Sequence, residues 1–193
     1  GGRWSPVARA WEALAPGTED RFGSAVALGP TFAVVGAPGA DAGGPDPADD
    51  TMTDAGGAYR IELAGAQPAS YLVAPAPSSG DAFGAAVAVA DDGRVAIGAP
   101  LEDGGASELG GVPDRVAPDA GAVWLFLPGG GTAYVKATNT DPGDRFGAAL
   151  ALSGSRLAVG APEEAGGGRG LDADPESDTA PGAGAAYLWR VGP

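Results

Sequence analysis

The residues best suited to chemistry in this chain are carboxylates. Of its 25 Asp and Glu, 16 fall in three stretches, 39–56, 101–120 and 163–183, which hold only Arg115 and Arg169 of its 11 basic residues. The sharpest cluster is Asp172-Ala-Asp174-Pro-Glu176-Ser-Asp178. Alternate acids in an irregular stretch supply several of the about 6–8 oxygen ligands that calcium takes. The row is not an EF-hand loop. Pro175 stands fourth, no Gly stands sixth, and Ala183 stands twelfth, where a bidentate Glu is needed. Asp46, Asp49, Asp50 and Asp54 form a second, weaker cation cluster. Nothing demands a cofactor, and calcium is the one these acids would take. Together with Asp41, Glu102, Asp103, Glu108, Asp114, Asp119, Glu163 and Glu164, the second cluster reads as a surface that attracts cations or basic partners. The plain alternative is that acidic, glycine-rich loops keep a sheet protein soluble.

Other chemistries lack their residues. The chain has no Cys and no His, which removes thiolate nucleophiles, imidazole bases and Cys/His zinc sites together. Lys136 is the sole lysine. No arrangement of Ser, Thr or paired carboxylates suggests a triad or a glycosidase pair, so an enzyme is not expected. The formal net charge of −14 repels phosphate backbones and anionic lipid, so no nucleic-acid partner is expected. No stretch approaches the roughly 18 apolar residues of a membrane span. The chain opens at Gly1 with no Met and no signal peptide, which reads as a processed or excised piece.

The elements that must position these acids recur three times. Phe22-Gly23, Phe83-Gly84 and Phe146-Gly147 lie 61 and 63 residues apart, and Gly36-Ala37-Pro38, Gly98-Ala99-Pro100 and Gly160-Ala161-Pro162 lie 62 and 62 apart. Each copy then reaches a Gly-Ala-aromatic segment at Tyr59, Trp124 or Tyr187. Self-similarity at a fixed long period marks a repeat architecture. Apolar residues alternate through Phe22, Ser24, Val26 and Leu28, through Phe83 to Val89, and through Phe146 to Leu152, the period of a strand. Short Gly/Asp links follow, and a second strand runs into Gly-Ala-Pro, where Pro ends the ladder. After the acidic stretch comes a third strand at 58–63, 122–127 or 185–190, and a fourth at 71–74 or 133–136. Four strands per unit is a propeller blade, and the fold class is all-β. The third copy stops after its third strand, and Trp4 to Leu14 supplies the candidate fourth. The divisions are 1–14 closing strand, 15–76, 77–139 and 140–193, the last incomplete without 1–14. Three blades are too few to close, since propellers have about 4–8. Two chains forming a six-bladed ring, or membership of a longer propeller, would resolve this.

These ordered motifs resemble the FG-GAP repeat, the blade unit of the integrin alpha-subunit propeller and of many bacterial surface proteins. The resemblance covers about Trp4 to Trp189 and implies a propeller, extracellular or on the cell surface, working in adhesion or ligand recognition. Calcium-binding integrin blades carry Asp-x-Asp-x-Asp-Gly between the first two strands. Here Asp91-Asp92-Gly93 is the nearest approach, so that site does not carry over. The expected function is recognition of a protein partner on the acidic loop face. A glycan-binding propeller and a module that assembles by closing a ring are the alternatives. The periodic Asp20, Asp81 and Asp144 read as turn caps, and Phe22, Phe83 and Phe146 as core between blades.

Overall fold

A computed structural model describes residues 10–64, 69–106, 113–168, 170 and 177–192. Among these, every named element is a strand. The first sheet contains β1 (Val26–Leu28), β2 (Phe32–Ala37), β3 (Gly57–Glu62) and β4 (Ser70–Leu72) in that order. The second contains β5 (Ala86–Val89), β6 (Val95–Ala99), β7 (Ala122–Phe126) and β8 (Thr132–Val135). The third contains β9 (Ala149–Ser153), β10 (Arg156–Ala161) and β11 (Ala185–Arg190). All neighbours are antiparallel, and Val35 opposite Tyr59, Ile97 opposite Trp124 and Val159 opposite Tyr187 hold one register through all three sheets. Each second strand ends at the Ala before its Pro, which has no N–H to continue the ladder.

Alternation gives every blade two apolar faces. Val87, Val89, Ile97, Trp124, Phe126 and Tyr134 of the second blade pack against Phe32, Val34, Ala58 and Leu72 of the first. Leu150, Leu152, Val159, Tyr187 and Trp189 of the third pack against Ala88, Ala96, Val123, Leu125 and Val135 of the second. The second blade therefore lies between the other two. Arg94 ties the second junction from the side. Paired with Asp92, it donates to the carbonyls of Val191, Gly192 and Gly154 at 3.0, 3.2 and 3.0 Å.

Two expectations differ from the structure. The Phe-Gly pairs stand before the first strands, not in them. Arg21, Ala82 and Arg145 have φ of 57°, 56° and 56°, and Gly23, Gly84 and Gly147 have φ of 97°, 94° and 93°, so the backbone around each Phe is left-handed and cannot be extended. The expected closing strand over 1–14 lies mostly outside the described residues, and 10–14 form no strand. Ala13 packs with Val35 and Tyr59 on the first blade. It stands nine residues before Phe22, as the buried Ala74 and Ala137 stand nine before Phe83 and Phe146.

Candidate recognition face

The three acidic stretches link second strands to third strands, and backbone bonds tie the ends of the first two to the blades that follow. Ala55 and Ala120, at the ends of the first two loops, accept the Phe83 and Phe146 N–H groups of the following blades at 3.0 and 2.9 Å. The loops themselves are laced in matching fashion. Gly56 N–H donates to Ala40 O, Gly121 N–H to Glu102 O and Gly184 N–H to Glu164 O, each at 2.8 Å. Asp41 Oδ1 then accepts the Asp54 N–H at 2.9 Å, and Asp103 Oδ1 accepts the Asp119 N–H at 3.0 Å. The third loop has Ala165 in that place and closes through Ala180 N–H to Ala165 O at 3.0 Å.

Several carboxylates expected on the ligand surface are therefore spent on loop shape. Asp46 accepts from Ala48 N–H at 3.0 Å, and Asp49 from both Thr51 N–H and the Thr51 hydroxyl. Asp114 accepts from Gly105 and Val116 N–H at 2.6 and 3.3 Å. These bonds, led by Gly105, hold its carboxyl below the usual range. Asp46, Asp50, Asp54, Asp114, Asp119, Glu163 and Asp178 are exposed, and Asp41, Asp49 and Asp103 half-buried. Among the described residues no three carboxylates converge as a metal site would need, so Asp46, Asp49, Asp50 and Asp54 do not form the expected cation cluster. Asp172, Asp174 and Glu176, and also Glu108, lie outside the described residues.

Glu102 and Glu164 correct the expected surface more sharply, because both are buried. Glu102 Oε2 accepts from the Tyr134 hydroxyl at 2.8 Å and from Lys136 Nζ at 3.3 Å, and Lys136 also donates to Gly121 O at 2.6 Å. Burial pushes the Lys136 ammonium below its ordinary value, while Glu102 opposes that shift. Burial and the same carboxylate push the Tyr134 hydroxyl up. In the third blade, Tyr187 Oη lies 2.8 Å from both Glu164 Oε2 and Asn139 Oδ1. Glu164 Oε1 is buried with no hydrogen-bond partner among the described residues. These two Glu stand at one repeat position, two residues after Pro100 and Pro162, a recurrence that marks them as structural.

A further polar feature is the Asp before each Phe-Gly. Asp20, Asp81 and Asp144 accept from Gly17, Ser78 and Asp141 N–H, closing the turn that leads into the pair. Burial raises the Asp81 carboxyl to about 7, with Glu102 and Asp103 adding to the rise. Burial raises that of Asp144 to about 6, with Glu164 and Asp141 adding. The third-strand aromatics are taken up in packing. Tyr59 and Trp124 are buried, and Tyr187 and Trp189 pack edge-on to Phe146 at 5.5 and 5.3 Å.

The described part of the face is thus a laced scaffold of loops carrying outward carboxylates. A family model for the FG-GAP repeat matches residues 15–61, 69–126 and 130–189. A search of curated proteins finds no match to the chain.

Proposed function

The chain belongs to the FG-GAP repeat family, which is typically non-enzymatic, and on that premise we propose that it is a recognition module whose acidic loop face binds a basic protein partner. The observation that carries this reading is the matched lacing of the first two loops, Asp41 to Asp54 and Asp103 to Asp119. It fixes the backbone under exposed carboxylates, so the face meets a partner with little ordering left to do. With a net charge of −14 the chain also steers cationic partners towards it. An extracellular or cell-surface setting belongs to the same reading and rests on the family resemblance.

A peptide array tests it, with basic and neutral peptides of equal length. The expected result is retention of Arg- and Lys-rich peptides that weakens as salt rises. It should fall at least tenfold in the combined variant Asp50→Asn, Asp54→Asn, Asp119→Asn, Glu163→Gln, with the melting temperature unchanged. Equal retention of neutral peptides, or undiminished binding by the variant, would remove the reading.

A further inference from the structure

We propose that a second copy of this chain docks head to tail on the first, its Phe22-Gly23 loop entering the groove on the open face of the third blade, and that two such contacts close a six-bladed ring. The two junctions inside the chain show what this groove receives. Gly80, Ala82 and Phe83 N–H groups donate to the carbonyls of Thr53, Asp54 and Ala55 at 2.9, 3.1 and 3.0 Å. Gly143, Arg145 and Phe146 repeat this on Pro118, Asp119 and Ala120 at 2.9, 3.1 and 2.9 Å. The carbonyls of Gly84 and Gly147 then press on Gly36 and Gly98, where any Cβ would collide with them. Each Phe-Gly loop is a plug, and each Gly-Ala-Pro strand end with its loop terminus is a socket.

Among the described residues the Gly23 plug and the Gly160 socket, on the first and third blades, meet no partner, although Val35 and Tyr59 of the first blade are already covered by Ala13, Phe22 and Tyr71. The third blade keeps the register, with Gly160 in the place of Gly36 and Gly98, and Pro181, Gly182 and Ala183 in the place of the accepting carbonyls. Its groove is lined by Ala149, Gly160, Ala161, Ala183 and Ala186. Ala55 and Ala120 are fully buried, whereas Ala183 is exposed. The nearest atoms to a Cβ on Gly160 would be those of Ala149 in its own blade, the side chain at 3.3 Å and the backbone at 3.9 Å. At the other end, the Phe22-Gly23 loop has the plug conformation already, yet no atom of the described residues would lie within 4 Å of a Cβ on Gly23. Val26 and Leu28 are 62% and 71% exposed, where Val87, Val89, Leu150 and Leu152 are packed on a preceding blade. Arg156, at the repeat position of the strapping Arg94, is likewise exposed.

A second copy is the occupant proposed because it carries both a matching plug, at Gly23, and a matching socket, at Gly160. Its plug fits this socket while its socket takes this plug, so both contacts form together, as a closed head-to-tail dimer requires. Six blades fall within the range of closed propellers, about 4–8.

The chain has no Cys, so an introduced pair reports the contact cleanly. Arg21→Cys with Gly182→Cys places thiols where Ala82 meets Asp54 and Arg145 meets Asp119 at the internal junctions. Asp54 and Asp119 have φ of 52° and 55° at the second position, so a side chain is tolerated there. Mild oxidation should give a covalent dimer on a non-reducing gel. Adding Gly160→Val, or separately Ala186→Arg, should abolish it with the circular dichroism spectrum retained. Monomer alone from the cysteine pair would overturn docking, and a ladder of higher multiples would overturn ring closure. Cross-linking undiminished in both blocked variants would overturn the assignment of the groove.

Discussion

The Phe146 N–H donates to the Ala120 carbonyl across a blade junction at 2.9 Å, and Phe83 does the same to Ala55 at 3.0 Å. The residue before each Phe is left-handed, which turns the N–H towards the preceding blade while the ring drops into the core between them. Gly follows because its φ is positive and its carbonyl must approach a second Gly. One dipeptide thus supplies the backbone contact, the apolar anchor and the close approach that stack a blade on its neighbour.

Removing the anchor should be costly where it is enclosed. Phe83→Ala and Phe146→Ala should each lose about 3–5 kcal/mol, the range for a buried Phe. Phe22→Ala, measured in a chain carrying Ala186→Arg to keep it monomeric, should lose clearly less, since Phe22 of the single chain is half-buried against Tyr59. Urea unfolding followed by tryptophan fluorescence ranks the three.

The socket glycines should separate by position. Gly36→Ala and Gly98→Ala force a methyl against a backbone carbonyl and should cost about 1–3 kcal/mol as overpacking. Gly160→Ala, measured in a chain carrying Ala186→Arg to keep it monomeric, should cost clearly less, since its methyl meets the Ala149 side chain and no backbone carbonyl of another blade. Thermal melts of the three variants decide this.

Lys136 and Glu102 form a buried pair. Lys136→Met leaves the carboxylate enclosed without its cation and should destabilise by about 3–5 kcal/mol. Combining it with Glu102→Gln should recover most of that loss. A double-mutant cycle by chemical denaturation checks the recovery.

Asp81 and Asp144, raised to about 7 and about 6, set a pH dependence. Both lie above the ordinary carboxylate range, so the folded chain holds protons that the unfolded chain releases. Their contribution is full below about pH 4 and is lost as pH rises through 6 and 7, each tenfold change in proton affinity being worth about 1.4 kcal/mol. Asp92, held low chiefly by Arg94, acts only below that window. The melting temperature should rise between pH 8 and pH 5, and Asp81→Asn with Asp144→Asn should flatten the profile. A flat or falling profile in the unsubstituted chain would contradict this.

The blades were legible because their signals are local. The short apolar runs at Phe32–Ala37 and Ala122–Phe126 and the Pro after each Gly-Ala need no knowledge of the rest of the chain. The plug was not legible. Alternation through Phe22, Ser24 and Val26 continues unbroken past a backbone that is left-handed at Arg21, and Ala82, at the same place, carries no turn signature. The acids divide for a similar reason. Glu102 and Glu163 look alike in composition, but only the fold places Glu102 beneath its loop beside Tyr134 and Lys136. The ends of the stack become visible only when Gly160 and Gly23 are compared with their enclosed equivalents.

The most direct test of the account is the equilibrium sedimentation mass of the unsubstituted chain. Docking of plug into socket predicts twice the 18.6 kDa of one chain, falling to 18.6 kDa on Gly160→Val. A single species of 18.6 kDa at every concentration, folded and stable, would contradict it.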